Sequence, residues 1–228
     1  MKKKVLLVAA IAAGIFTTNE LNAQDFKPAG GEKNIEVNFT PLSGSPIGMN
    51  NLRFRYFASS DIAYRLGFSV SSSTEKDINL VNPGANNEAE LEDKTSSFGF
   101  SISPGIEKHF EGTDRLSPYV GAVLNFSTVS TTQTVESLDA NDAVVETETK
   151  NPNNDDATTF GLNLVLGADW YFSKHIYMGT EVGFGFQSQN IKDNEVTPPT
   201  GPSSTTPNGS EFNLGPNVNG AIRLGFLF

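Results

Sequence analysis

Eight charged residues have the type and spacing to do chemistry: Glu36, Arg53, Arg55, Arg65, Glu107, Asp169, Glu181 and Arg223. Each lies inside a stretch of alternating bulky and small residues, on the side of the small or polar ones, so an extended chain would turn all eight toward one enclosed space. Four acids balance four arginines. Since unpaired charges in a narrow cavity cost several kcal/mol each, a balanced set predicts a paired network that fills the cavity; a selective ion path is the other chemistry such a lining could support. Hydrolysis fares worse. The two histidines, His109 and His175, stand beside short connections and far from the long polar stretches, so a Ser-His-Asp arrangement at the far rim lacks its base. At strand ends they read as interfacial polar residues. The chain has no cysteine, which removes disulfides, thiolate catalysis, Cys-ligated metal and a lipidated cysteine. Without a GxGxxG, Walker-type or His-rich metal motif, the sequence predicts no catalytic residue, no cofactor and no metal site.

The elements that must position these charges are strands. Period-2 alternation recurs in eight segments, over residues 34–42, 50–58, 62–72, 96–110, 118–129, 158–172, 175–189 and 211–228. In the third, Ile62, Tyr64, Leu66, Phe68 and Val70 oppose Ala63, Arg65, Gly67 and Ser69; in the sixth, Phe160, Leu162, Leu164, Leu166, Ala168, Trp170 and Phe172 oppose Gly161, Asn163, Val165, Gly167, Asp169 and Tyr171. The seventh sets Ile176, Met178, Thr180, Val182, Phe184 and Phe186 against Tyr177, Gly179, Glu181, Gly183, Gly185 and Gln187. A soluble sandwich also alternates, but its outward face is rich in Lys, Glu and Thr, not in glycine. The fifth segment admits two outward sets, and we take Val120, Ala122, Leu124 and Phe126 because that choice sends Asn125 inward. Pro104 and Pro216 cannot donate a ladder hydrogen bond, so bulges or strand ends are expected there.

Connections alternate in length. Ala58–Asp61, Glu111–Ser117 and Ser173–Lys174 are tight, whereas residues 73–95, 130–157 and 190–210 are long and polar, and Ser43–Met49 is a short exception. The first two long stretches carry net charges of −4 and −6, which reads as solvated, mobile anionic loops. A divalent-cation site at Asn151–Asp156 or Asp139–Asp142 lacks calcium-loop spacing. The Pro/Thr/Ser-rich stretch Thr197–Ser210 reads as a flexible surface loop.

The chain of 228 residues has a formal net charge of −10, and its one basic cluster is Lys2-Lys3-Lys4, which argues against nucleic acid as a partner. That cluster precedes the apolar run Val5–Phe16 and then Leu21-Asn22-Ala23, the parts of a secretory signal peptide over residues 1–23, cleaved after Ala23. The run is shorter than the ~20 apolar residues of a spanning helix. Cleavage takes away three lysines and one glutamate, moving the net charge from −10 to −12. Residues 24–33 then form a short leader to the single domain, 34–228.

The chain ends VNGAIRLGFLF, with Phe228, Phe226 and Leu224 on one face and Arg223 on the other. Phe160 and Trp170, on one face of one segment, would stand about 25 Å apart along the normal of a membrane, at ~3.3 Å per residue and a tilt of roughly 40°. Tyr56, Tyr64, Phe110, Trp170 and Phe172, with Phe228, would make an aromatic girdle at the short-turn end, and Phe98, Phe126, Phe160, Phe186 and Phe212 one at the other. The terminal aromatic, the signal peptide, the loop alternation and the eight segments together resemble the small eight-stranded bacterial outer-membrane β-barrels of the OmpA-barrel and OmpX type, grouped as porin-family proteins. The resemblance covers the whole mature chain and is architectural. It implies an all-β, antiparallel, up-and-down transmembrane barrel with both termini periplasmic and the long loops extracellular. It also implies recognition of the terminal strand by the barrel-insertion machinery. Outer-membrane lipid and lipopolysaccharide are the expected surroundings, with an unidentified surface or outer-membrane partner. Three roles follow: a non-enzymatic protein of envelope integrity or surface contact, a narrow porin-like channel, or an accessory subunit of a larger outer-membrane complex.

Overall fold

The computed structural model of the chain describes residues 26–39, 47–82, 84 and 88–228. The predicted signal peptide (1–23), the first two residues of the predicted leader and residues 40–46 lie outside the described residues. Eleven strands run in chain order: β1 (Lys33–Phe39), β2 (Ile47–Phe57), β3 (Ile62–Val81), β4 (Ala89–His109), β5 (Leu116–Leu138), β6 (Val144–Lys150), β7 (Ala157–Tyr171), β8 (Ile176–Ile191), β9 (Asn194–Thr197), β10 (Ser204–Thr206) and β11 (Ser210–Leu227). Eight of them, β1–β2–β3–β4–β5–β7–β8–β11, pair antiparallel in a ring that closes where Asn34 meets Leu227 and Phe39 meets Ile222. These rungs join the first strand to the last, and the predicted eight-stranded antiparallel barrel is what is found.

Side-chain parity sorts the wall into two faces. Leu164 and Leu166 are 63% and 58% exposed, while Val165 between them is 6% exposed. Val120, Leu124 and Phe126 face out and Tyr119 and Val123 are buried, which resolves the fifth segment as chosen. Tyr56, Tyr64, Phe110, Trp170, Phe172 and Phe228 are all exposed; Tyr56 pairs with Tyr64 across strands, and the Trp170 and Phe172 rings lie 5.8 Å apart. At the other end Phe126 is the register partner of Phe160, and rings then step from Phe160 to Phe186 at 6.4 Å and from Phe186 to Phe212 at 5.9 Å.

Three predicted features are corrected. First, residues 73–95 and 130–157 are not mobile loops for most of their length. β3 and β4 stay paired in one register from Ile62↔Lys108 to Val81↔Ala89, and β5 continues past the barrel to pair with β6. At ~3.4 Å per residue the 20 residues of β3 reach about 50 Å along an axis tilted by roughly 40°, about twice the ~25 Å apolar band of such barrels. The Ser/Thr-rich extension has water on both faces, so it needs no bulky apolar set. Strand-favouring Thr and Val together with unbroken backbone pairing suffice there. Residues 190–210 likewise contain β9 and β10, which extend the sheet in the order β5–β6–β9–β10. Second, Pro104 makes no bulge: it keeps register with Leu66 on β3, and toward β5 the pairing lapses between Ile102↔Phe126 and Gly105↔Val123 without a shift. Third, Pro216 also stays in register, with Phe184, and the shift falls later, between Asn219 and Arg223. That stretch of β11 is paired with β8 from Ser210↔Asn190 to Asn219↔Glu181, and the loss of one donor leaves its register intact.

The leader is also more structured than its composition predicts. The Phe26 ring lies 4.1 Å from the Arg115 guanidinium, Lys27 donates to the Glu111 carbonyl, and the Gly31 amide donates to the Phe57 carbonyl at 2.7 Å. Residues 26–32 are thereby fastened across two of the short turns.

Candidate functional site: the charged lumen

Inward parity brings all eight predicted charges into contact. Arg55, wholly buried, sits at their centre. Its guanidinium donates to the Glu107 carboxylate at 2.8 Å and to the Tyr177 hydroxyl at 2.8 Å, and pairs with Asp169 at 2.7 Å and with Glu36. Arg65 bridges Glu107 at 2.8 Å and Glu181 at 2.6 Å. Arg223 reaches Glu181 at 3.3 Å, Asp169 at 3.5 Å and Glu36 at 3.7 Å, while Arg53 closes the upper side on Glu36 at 3.3 Å and Glu181 at 3.5 Å. Six strands and the terminal one contribute, so the network ties together nearly the whole circumference. Glu36 comes from β1, Arg53 and Arg55 from β2, Arg65 from β3, Glu107 from β4, Asp169 from β7, Glu181 from β8 and Arg223 from β11.

The missing strand, β5, supplies an aromatic member, Tyr119, which parity turns inward but which the charge pattern does not assign to the network. Tyr119 is 2% exposed and donates its hydroxyl to Glu181 at 2.7 Å; Tyr177 does the same to Glu36 at 2.5 Å. The Arg55 guanidinium lies 5.3 Å from the Tyr177 ring and 5.7 Å from those of Tyr119 and Phe57, within cation–π range. Tyr171 stacks on Tyr177 at 4.9 Å. A signal for them existed. Tyr171 and Tyr177 stand an even spacing from Asp169 and Glu181, so parity alone sends them inward.

Glycine makes the room. A Cβ at Gly225 would fall 2.0 Å from the Tyr177 ring, its cross-strand partner, and one at Gly167 would fall 2.3 Å from the ring of its partner Tyr119. The inward glycines are therefore the seats of the inward tyrosines, a pairing of ring over bare backbone.

His109 is corrected from an interfacial residue to a lumen one. It is 3% exposed, its Nδ1 is 2.9 Å from the Ser117 hydroxyl, its Nε2 is 3.3 Å from Glu107, and its ring packs on Phe57 and Tyr119 at 5.2 and 5.1 Å. Ser117–His109–Glu107 has the connectivity of a hydrolase triad. Its serine is 3% exposed and its carboxylate is already held by Arg55 and Arg65, so a substrate carbonyl has no approach to the hydroxyl. His175 remains at the interface, with Nδ1 3.1 Å from the Leu227 carbonyl and its ring 6.0 Å from Phe226. Phe57, Ala63 and Leu227 close the short-turn end below the charges. Above them the wall turns to small polar residues, with Ser101 donating to Ser69 at 3.0 Å.

The candidate cation sites also have structural occupations. Asn151 is 1% exposed and bonds backbone at both ends of its amide, to the Lys192 carbonyl and the Asp156 amide; Asp156 accepts from the Thr131 amide. Asp139 accepts from the Asn141 and Ala143 amides at 2.8 and 2.9 Å, and these bonds hold its carboxyl below the usual carboxylate range. Among the described residues no group of three or more His, Cys, Asp or Glu side chains could hold a metal ion.

Comparison with known proteins gives one family. Residues 44–226 match the profile described as "Putative OmpA-OmpF-like porin family". No curated protein matches the chain. Among solved structures, the outer membrane protein OprG from Pseudomonas aeruginosa is similar with 13% identity and a TM-score of 0.45, over 89% of this chain and 98% of that one. The N-terminal β-barrel domain of Pseudomonas aeruginosa OprF is similar with 13% identity and a TM-score of 0.32, over 88% and 100%. CarO of Acinetobacter baumannii is similar with 12% identity and a TM-score of 0.35, over 87% and 98%.

Proposed function

The chain belongs to the OmpA-OmpF-like porin family and is an outer-membrane β-barrel, and from that premise we propose that it is a non-enzymatic envelope protein with a plugged lumen, acting through the long β-structured end that it presents outside the cell. The observation that carries this reading is the closed salt-bridge cluster. Arg55, Glu107 and Asp169 are buried, and Glu36 and Arg223 are 1% exposed, which supports a lumen filled against hydrated ions. Eight strands leave an interior that side chains can fill, and here they do so with neutralised charge. The tall acidic extension is then the part of the molecule with surface to offer a partner, with both termini on the periplasmic side. Planar-bilayer recording of the pure protein tests the plug: the expected result is no reproducible large conductance, and steady open-channel currents would replace this reading with the porin-like channel. Stable co-purification of a second outer-membrane protein from native membranes would instead make the chain an accessory subunit.

A further inference from the structure

The β9–β10 hairpin differs in its chemistry from the rest of the long end. Residues 197–210 read TPPTGPSSTTPNGS, with seven hydroxyl residues, four prolines and no charge, between Glu195 and Glu211 in an otherwise acidic extension. Serine and threonine interspersed with proline are the composition of O-glycosylated segments. Composition alone assigns nothing, so the placement of the hydroxyls decides.

The fold holds them at the surface. β9 and β10 pair from Ser204↔Val196 to Thr206↔Asn194, and β10 is the last strand in the order of the described sheet. All three residues of β10 are exposed, and so is Thr200 in the turn before it. That turn contains Pro198, Pro199 and Pro202, whose fixed φ stiffens it. Gly201 takes a φ of 97°, and a Cβ built on it meets nothing within 4 Å, so the space beside Thr200 is open. One pair of hydroxyls is used internally, Thr197 with Ser203 at 3.1 Å. Those of Thr200, Ser204 and Thr206 have no hydrogen-bond partner among the described residues.

Two other acceptors are closed by the same test. Asn208-Gly209-Ser210 fits the N-x-Ser pattern of an N-linked acceptor, but the Asn208 side-chain amide donates to Asn154 Oδ1 at 3.0 Å and to the Lys192 carbonyl at 2.8 Å. Its nitrogen is already engaged. Ser71, Ser72, Ser73 and Thr74 are exposed as well, yet they lie in the middle of the 20-residue strand β3, paired on β4 throughout, with the Thr74 hydroxyl 3.3 Å from that of Ser96. A transferase must draw the acceptor into its cleft. A short hairpin tip fits such a cleft, and the middle of a long ribbon does not.

We propose that the β9–β10 hairpin is a site of O-linked glycosylation, with Thr200, Ser204 and Thr206 as the acceptors. The new bond joins the hydroxyl oxygen to the anomeric carbon of a nucleotide- or lipid-linked sugar. The hydroxyl proton passes to a base of the transferase, and the donor's phosphate leaves with the bonding electrons. A sugar on β10 covers the last strand of the sheet, where backbone groups otherwise invite pairing with another chain, and it adds no charge to an acidic surface that already repels itself. The site depends on the exposure of the hairpin and stands whether or not the lumen conducts.

Intact-mass spectrometry of the protein extracted from its native outer membrane, against the same mature chain refolded from inclusion bodies, tests the site. The native protein should be heavier by whole sugar residues. The increment should fall in the tryptic peptide of residues 193–223, which has no Lys or Arg before its last residue, and alkaline β-elimination should remove it. T200V/S204A/T206V made in the native host should lose the increment, and S71A/S73A/T74V should keep it, with heat-modifiable gel mobility reporting that both variants fold. Equal masses for the native and refolded protein, a phosphate in place of a sugar, an increment on another peptide or resistant to β-elimination, or one that survives the triple change in the hairpin overturns the site.

Discussion

Within one strand, β3, two kinds of stability meet. Around Ala63 and Arg65 the inward face is sealed, with Arg65 held by two carboxylates and Ala63 wholly buried, while Tyr64 and Leu66 face the membrane. A dozen residues on, at Thr74–Leu80, the same strand has both faces exposed and keeps its pairing with β4 without a break. The lower part is specified by side chains that have one place to go. In the upper part the backbone ladder carries the structure, and the side chains are free to vary. A sequence can thus be strict and permissive along a single element, and the boundary between the two is the upper edge of the charged cluster.

The largest difference should appear on removing one ion from each region. Arg55→Met leaves Glu36, Glu107 and Asp169 buried without their common partner, a change that costs about 3–5 kcal/mol. Lys76→Met breaks the pair with Glu92, whose side chains are 52% and 33% exposed, and should cost at most ~0.5 kcal/mol. Urea unfolding in lipid, followed by the fluorescence of the single tryptophan, Trp170, measures both. Similar midpoints for the two variants would mean that the buried cluster does not anchor the barrel. Replacing Arg55 and its partners together by apolar residues should recover much of the loss, since the penalty lies in the stranded charge.

A smaller effect should separate glycines of the two regions. Gly225→Val places its Cβ against the Tyr177 ring and should destabilise by about 1–3 kcal/mol through overpacking. The double variant with Tyr177→Ala should relieve part of it. Gly209, just before β11, has nothing within 4 Å of a built Cβ, and Gly209→Ala should stay within about 0.5 kcal/mol of the parent. A Gly225 variant as stable as the parent would show that the tyrosine layer yields.

The same division explains what could be read from the sequence. Where one face meets lipid and the other a crowded lumen, alternation is unambiguous: Leu164, Val165 and Leu166 announce the wall, and Arg53, Arg55 and Arg223 announce the cavity. The extension was illegible because hydrophobicity marks only the part of a strand that leaves water. Ser73, Thr74, Glu75 and Lys76 look like a loop until they are seen to pair with Ser97 through Lys94. Parity turns Tyr119 and Tyr177 inward, but their place in the charge network, and the burial of His109, were hidden for a different reason. Amphipathic rings fit a membrane interface as readily as a polar core, so their type is ambiguous, and parity from a neighbouring charge is the feature that decides. Proline was over-read: Pro104 and Pro216 each remove one donor, and in a strand paired strongly on its other side that loss does not shift the register.

The smallest effect belongs to the turn that joins β5 and β6, the tip of the permissive region. Asp139 is exposed and accepts from the amides of Asn141 and Ala143, which lowers its carboxyl below the ordinary value. A carboxyl depressed in the folded turn stabilises that turn above its unfolded value of about 3.9, and the contribution fades as the pH falls through the lower folded value. Amide exchange at Asn141 and Ala143 should therefore quicken on acidification below about pH 4, against the paired amides of β5 and β6 as internal reference. Asp139→Asn keeps an acceptor oxygen and removes the charge, so exchange at these two amides should lose that pH dependence. If the wild-type and Asn variants respond to acid alike, the turn is held by Asp142, whose backbone is in the left-handed region at φ 60°, and by the ladder on either side, and even the tip of the extension is specified by backbone geometry rather than by a charged side chain.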